Sequence, residues 1–218
     1  NASPNQIGKW VFEANGHQVE VESTTNDTLA VIVQAEYAVC PVCGYATEGT
    51  AEFKIPHKTA FGYNCKCSQK PTKTFYLSHD FKTDVAKLTF MHSAANDYNR
   101  MLSVMYALLE GVSRQLGIER TDIKGTLFRE VKSGYKVYSV ILYDAVAGGA
   151  GHVRRLVTDD GKVLNTVIEK AIAICEDCDC DGSCYKCLRN YYNQKYHDQI
   201  DRMEAATFLK QWGNLAVA

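Results

Sequence analysis

The 218-residue sequence has no run of about 18 apolar residues, so no segment of it is expected to cross a membrane as a helix. It has only 4 prolines and no low-complexity tract, which argues against a largely disordered chain. It lacks an excess of either charge. With 24 Lys+Arg against 25 Asp+Glu it is not uniformly basic, although a local basic patch is still compatible with that balance. The opening Asn1-Ala2-Ser3-Pro4 has neither a basic region nor an apolar stretch and does not read as a signal peptide. It also lacks Met, so the chain reads as a processed product or a part of a longer protein.

What the sequence does have is cysteine, unevenly placed. Nine cysteines stand at 40, 43, 65, 67, 175, 178, 180, 184 and 187, with none between 67 and 175. An odd total in two tight groups does not read as a disulfide framework; it points to metal sites in a reducing compartment, here taken as the cytoplasm. The sequon Asn26-Asp27-Thr28 is then coincidental. In the first group, Cys40-Pro41-Val42-Cys43 and Cys65-Lys66-Cys67 present two thiol pairs separated by 21 residues. A zinc ion takes four soft ligands in a tetrahedron, and a short gap lets one turn present two of them. Cys40, Cys43, Cys65 and Cys67 are therefore expected to form a zinc ribbon spanning 40–67.

The second group, Cys175-Glu176-Asp177-Cys178-Asp179-Cys180-Asp181-Gly182-Ser183-Cys184-Tyr185-Lys186-Cys187, is denser. Spacing alone allows Cys175, Cys178, Cys184 and Cys187, or Cys178, Cys180, Cys184 and Cys187; either choice leaves one thiol over. Four thiolates also suit an iron–sulfur cluster, but no redox partner motif accompanies them, and zinc is preferred. His197 is expected to be a hydrogen-bonded helix residue rather than a ligand. Two zinc ions per chain follow.

Periodicity supplies the rest. Residues 9–38 alternate as strands around an Asn15-Gly16 turn, with a short apolar run over Leu29–Val33. Phe75–Leu77 and Val85–Met91 read as two strands joined by a polar stretch. Met101, Met105, Leu108, Leu109, Val112 and Leu116 mark a helix over 97–116, capped by Asn96 or Asp97 and ended by Gly117. Leu127–Val131 and Val137–Tyr143 are strand-like, and helices are expected over 163–175 and 195–212. The fold class is α+β: a mixed or antiparallel sheet packed with about three helices, plus an inserted zinc ribbon and a cysteine-rich C-terminal zinc site. A β-rich region over 1–74 and an α/β domain over 75–218 are the expected divisions.

Several segments in order resemble the MrfA-type zinc-binding domain. That domain occurs at the C-terminus of superfamily 2 DNA helicases and in DrmB-like proteins of the DISARM anti-phage system. The segments are Phe81-Lys82-Thr83-Asp84-Val85, Leu142-Tyr143-Asp144 with Gly148-Gly149-Ala150-Gly151-His152, Cys184-Tyr185-Lys186-Cys187-Leu188-Arg189-Asn190-Tyr191, Asn193-Gln194, and His197 with Asp201-Arg202. The resemblance implies Cys178, Cys180, Cys184 and Cys187 as ligands, with Cys175 spare or an alternative. It also implies a non-catalytic, zinc-binding C-terminal part of a helicase-like DNA-processing or anti-phage defence protein, partnered by DNA and by protein subunits of a defence complex. No Gly-x-x-x-x-Gly-Lys-Ser/Thr or Asp-Glu-x-His box is present, so a parent protein's ATP-driven motor is expected N-terminal to this chain.

For nucleic-acid contact the candidates are Lys186, Arg189 and Lys195 among Tyr185, Tyr191, Tyr192 and Tyr196, with Arg154 and Arg155 beyond the glycine-rich loop. That loop, Gly148–Gly151, is a candidate phosphate cradle through its backbone N–H groups, or else a tight strand-to-helix turn against the sheet. A structural or protein-interaction role is the alternative. A magnesium nuclease using Glu130 and Lys132 with Asp122 or Asp144 is a third reading; it requires these side chains to converge.

Overall fold

The computed structural model describes residues 6–217, so the opening Asn1-Ala2-Ser3-Pro4 lies outside the described part. The side chains of Val31, Val33 and Gln34 also lie outside it, which leaves the apolar run Leu29–Val33 described in part only as backbone. Among the described residues, seven strands and three α-helices follow the order β1 (Gln6–Ala14), β2 (His17–Val39), β3 (Ala46–Glu48), β4 (Thr74–Phe90), α1 (Tyr98–Leu116), β5 (Ile123–Lys132), β6 (Tyr135–Asp144), α2 (Lys162–Glu176), α3 (Arg202–Leu209) and β7 (Ala216–Val217). The strands form one sheet in the order β5-β6-β4-β2-β1-β7, with β3 added beside β2. Its registered pairs are antiparallel. The α+β class expected from the sequence is the one found.

Two compact units divide the chain. Residues 28–81 form the smaller one, and residues up to 27 together with 82–218 form the larger. The division does not run at residue 74. The hairpin β1–β2 places Phe12, Val19 and Val21 in the same core as the helices, so the N-terminal segment belongs with the C-terminal half. In β2 the alternation is visible residue by residue. Val19, Val21 and Ser23 are buried, while Glu20 and Glu22 point to the other face. There Lys132 reaches Glu20 at 2.9 Å and Glu22 at 3.2 Å.

The core of the larger unit lies between the sheet and the three helices. Helix α1 begins where Asp97 accepts the Arg100 N–H at 2.9 Å and ends at Gly117, whose φ of 65° is left-handed. It packs on α2, α3 and β5. Gly111 permits the approach to α2, since a Cβ there would run into the Val167 carbonyl and Ala171. Two long elements differ from expectation. Strand β4 is continuous through the polar stretch Ser78–Asp84, because the exposed Ser78, His79 and Asp80 have solvent on both faces and need no apolar alternation, while the buried Thr83 and Asp84 have their polar groups hydrogen-bonded. The expected helix over 195–212 is instead a 3-10 turn over Tyr191–Tyr196, helix α3, and a 3-10 turn over Lys210–Trp212. Asp201 starts α3 afresh by accepting the N–H groups of Met203 at 2.7 Å and Glu204 at 3.0 Å.

Candidate metal centres and nucleic-acid interface

In the larger unit, the turn after α2 gathers Cys178, Cys180, Cys184 and Cys187, whose sulfur atoms all lie within 4.8 Å of one another. The Sγ separations are 3.5 Å for Cys178–Cys180 and Cys178–Cys184, 3.7 Å for Cys180–Cys187 and 3.9 Å for Cys184–Cys187. A tetrahedral zinc with bonds of about 2.3 Å needs sulfurs roughly 3.8 Å apart, so these four fit the ion with little movement. They leave no open position, which suits a structural ion rather than a catalytic one.

Local backbone geometry prepares the site. The Cys184 N–H points to Cys187 Sγ at 3.2 Å, and the Lys186 N–H to Cys184 Sγ at 3.4 Å. The Lys186 N–H, the largest influence, holds the Cys184 thiol down at about 7. Burial and the neighbouring sulfurs push Cys180 up to about 12. Cys184 thus forms its thiolate readily, whereas Cys180 and Cys187, both pushed up, gain theirs when a cation offsets the repulsion between sulfurs.

Cys175 stands apart. It is fully buried in the core at the end of α2, and burial pushes its thiol up to about 12. Its carbonyl is used instead. Arg202 donates through Nη1 to Cys175 O at 2.8 Å and through Nε to Cys180 O at 2.8 Å, while its own N–H bonds Gly182 O at 2.8 Å. Arg202 therefore clamps the cysteine turn onto α3. His197 Nε2 lies 2.9 Å from Asn193 Oδ1 and 3.2 Å from Asn190 O, a hydrogen-bonded position outside the four-thiol group.

In the smaller unit the mutually close donors are Cys40, Cys43, His57 and Cys65. Cys40 and Cys65 Sγ are 3.8 Å apart, and His57 Nε2 is 3.2 Å from Cys43 Sγ. Cys67 lies beside them, 3.6 Å from His57 Nδ1 and 3.9 Å from Nε2. Cys67 thus stands as a fifth donor beside a group of four, the number a tetrahedral ion takes. His57 Nδ1 is 3.0 Å from Lys54 O, the orientation that leaves Nε2 facing the sulfurs. Its ring stacks on Tyr45 at 4.5 Å and meets Phe53 edge-on at 5.1 Å. Cys-x-x-Cys spacing could not reveal His57, since its distance along the chain from either pair follows no fixed rule. Burial pushes Cys40 up, but the Val42 and Cys43 N–H groups outweigh it and leave the thiol at about 6. Both clusters can chelate a metal ion, and the donor chemistry suits two zinc ions.

The glycine-rich loop is not free to cradle a phosphate. The buried Asp144 accepts the N–H groups of Ala150 at 2.6 Å, His152 at 3.1 Å and Val153 at 3.1 Å. The equally buried Asp84 accepts Gly151 N–H at 3.1 Å and the Thr25 hydroxyl at 2.7 Å. Gly148 and Gly149 donate to Lys82 O and Val146 O. Every amide from 148 to 153 thus has a protein acceptor. The glycines instead let the loop close over Asp84, since a Cβ on Gly149, at φ +76°, would strike that carboxylate.

The nuclease constellation is not brought together either. Glu130 binds Lys87 at 2.8 Å and the Ser139 hydroxyl at 2.5 Å, and Lys132 binds Glu20 and Glu22. Asp122 closes a capping box by accepting the Glu119 N–H at 3.0 Å. Glu130 pairs with Val137 and Ile123 with Asp144, so Asp144 sits seven residues along β6 from the Glu130 position. At about 3.3 Å per residue that is roughly 23 Å.

The basic candidates differ in availability. Lys186 and Arg155 are exposed. Lys195 is exposed with its Nζ 4.6 Å from the Tyr196 ring centroid. Arg154 pairs with Asp84 at 3.1 Å. Arg189 is engaged with Ser183 Oγ at 2.9 Å and His197 O at 3.1 Å, so it braces the cysteine turn. No helix among the described residues is long and apolar enough to cross a membrane.

The chain is 25% identical over 199 residues to the Druantia protein DruE of Escherichia coli (strain UMEA 4076-1), covering 80% of this chain and 10% of that protein. It thus spans about a tenth of the length of the curated relative it matches. Among solved structures, the DUF1998 helicase MrfA bound to DNA superposes with a TM-score of 0.53 at 13% identity, over 96% of this chain and 25% of that one. That likeness establishes a shared fold with part of the helicase. Residues 104–188, which run from α1 through the four-cysteine turn, match the family model of the MrfA Zn-binding domain.

Proposed function

We propose that the chain is a metal-stabilised C-terminal part of a helicase-like DNA-processing protein, and that it engages nucleic acid without cutting it. The observation that carries this reading is the closed four-thiol turn within the matched domain, bordered by the exposed Lys186 and Lys195. Zinc at Cys178, Cys180, Cys184 and Cys187, and at the Cys40, Cys43, Cys65 group with His57 or Cys67 as fourth ligand, would supply folding free energy and rigidity rather than chemistry. MrfA, whose fold this chain shares, is a helicase bound to DNA in its structure, which supports DNA as the partner. The free thiols suit the cytoplasm.

The test is salt-dependent binding. The purified chain should hold two zinc equivalents and bind single strands with an affinity that falls as salt rises. The triple variant Arg155→Ala, Lys186→Ala, Lys195→Ala should flatten the logarithmic salt slope by about 0.7 for each phosphate that is no longer neutralised. Binding that ignores salt, or a slope unchanged in the triple variant, would overturn the reading.

The smaller unit supports a second reading. It exposes Phe61 (86%) and Tyr63 (75%) on one turn, and Phe75, Tyr76 and Leu77 in succession on β4. Successive apolar side chains open to water suit a protein partner for that unit. The DrmB resemblance makes a subunit of a defence complex the class of partner to try.

A further inference from the structure

A cleft of about 530 Å³ opens in the larger unit between the start of β5, the end of β6 and the turn that follows the four cysteines. Its size falls within the range of small-molecule sites. Tyr106 and Tyr143 are nearly buried in its wall, and Tyr191 and Tyr192 stand at 75% and 76% exposed on its rim. Arg120 and Lys124 also line it, and among the described residues no carboxylate does. Arg120 is neutralised by Glu110 at 2.9 Å, whereas Lys124 is exposed and forms no ion pair among the described residues. The cleft therefore combines aromatic surface with one uncompensated positive charge.

The rim is held rigidly, although its side chains are open to water. Asn190 Oδ1 accepts the N–H groups of Tyr192 at 2.9 Å and Asn193 at 3.1 Å, and the Asn190 N–H donates to Asn193 Oδ1 at 2.8 Å. The buried Asn193 donates through Nδ2 to Leu188 O at 2.9 Å, one residue beyond Cys187. His197 closes the same network on Asn193. A chain of hydrogen bonds thus runs from the metal-binding turn to the backbone beneath Tyr191 and Tyr192. The two rings meet edge to face, 5.6 Å apart at 87°. Two large rings exposed on so constrained a backbone lose little freedom when a flat ligand stacks on them.

We propose that this cleft receives an unpaired base of a single-stranded nucleic acid, stacked against Tyr191 or Tyr192, with the adjoining phosphate on Lys124. This rests on the nucleic-acid reading above and gives it a site. Every base has a π face, so such a platform binds strands with little sequence preference. A duplex keeps its bases stacked on one another and offers none to the cleft. The metal's part is positional: it fixes the turn from which the tyrosines project.

The test uses the 218-residue chain, a short fluorescent oligothymidylate, and an abasic strand of the same length that has the phosphates without the bases. Two variants remove the site without touching the core or the cysteines: Tyr191→Ala with Tyr192→Ala, and Thr121→Leu, which obstructs the cleft from an exposed lining position without adding a π face. Unchanged zinc content checks that both remain folded. The expected result is that each variant binds oligothymidylate about tenfold more weakly, the loss of one base–aromatic stack, while abasic binding and the salt slope stay as in the wild type. Wild-type affinity that is equal for the two strands, or variants that bind oligothymidylate as tightly as the wild type, overturns the cleft and leaves the broader reading standing. A wild-type chain that binds neither strand overturns both.

Discussion

Cys175 and Cys187 are both buried thiols next to the same turn, yet the structure gives them opposite weights. Cys175→Ala removes one sulfur from a packed apolar site and leaves its carbonyl, the acceptor for Arg202, in place. The transfer and cavity terms for an atom of that size come to about 1 kcal/mol. For a chain of about 200 residues this lowers Tm by roughly 2–4 °C. Cys187→Ala removes one of four mutually close sulfurs, the acceptor of the Cys184 N–H, and leaves three thiols facing one another without a full shell. Structural zinc contributes on the order of 10 kcal/mol to folding in small zinc domains, so losing even part of it far exceeds the Cys175 effect. The assay is elemental mass spectrometry paired with thermal melting. Cys175→Ala should keep two zinc equivalents and melt a few degrees lower; Cys187→Ala should lose one equivalent and melt far lower or fail to accumulate as soluble protein. Zinc loss in Cys175→Ala, or a Cys187→Ala variant that keeps its metal and its Tm, would refute the assignment of the spare thiol.

The first cluster has five donors for four places, so His57→Ala and Cys67→Ser should each keep their metal while the double variant loses it. Release of zinc by either single change would show that the other donor cannot take its place. Arg202→Lys replaces a fork that spans Cys175 O and Cys180 O with a point charge that reaches only one. A loss of about 1–3 kcal/mol and faster zinc release to a chelator should follow, and an unchanged release rate would remove Arg202 from the site's support. Glu130 is pushed up by burial, but Lys87 and Ser139 outweigh that and hold it below its ordinary 4.5. Its stabilising effect is therefore complete above that value and disappears as pH falls through the folded-state value. Melting temperatures across acid pH should fall less steeply in Glu130→Gln than in the wild type, and parallel curves would rule Glu130 out as a contributor.

Local signals were legible where the chemistry is local. Helix α1 could be read with its Asp97 cap and Gly117 stop, because capping and periodicity are properties of neighbouring residues. Both cysteine groups could be recognised because a metal turn needs its donors a few residues apart. The polar stretch 78–84 misled because β4 borrows its hydrogen bonds from sheet neighbours rather than from its own pattern. The glycine-rich loop misled as well. Its residues suit a phosphate cradle, but the neighbouring Asp144 takes the amides of Ala150, His152 and Val153, and the fold brings Asp84, on a distant strand, to that of Gly151.

The sequence by itself determined that this is an α+β chain with two thiol-rich places for metal, since helix caps, strand alternation and thiol spacing act within a few residues. The tertiary structure decided which donors meet and which do not. It added His57 to the first cluster, withdrew Cys175 into the core, separated Glu130 from Asp144, and drew Tyr106, Tyr143, Tyr191 and Tyr192 around one cleft. Those juxtapositions join residues up to about 90 positions apart, and only the packing of a shared apolar core fixes such distances.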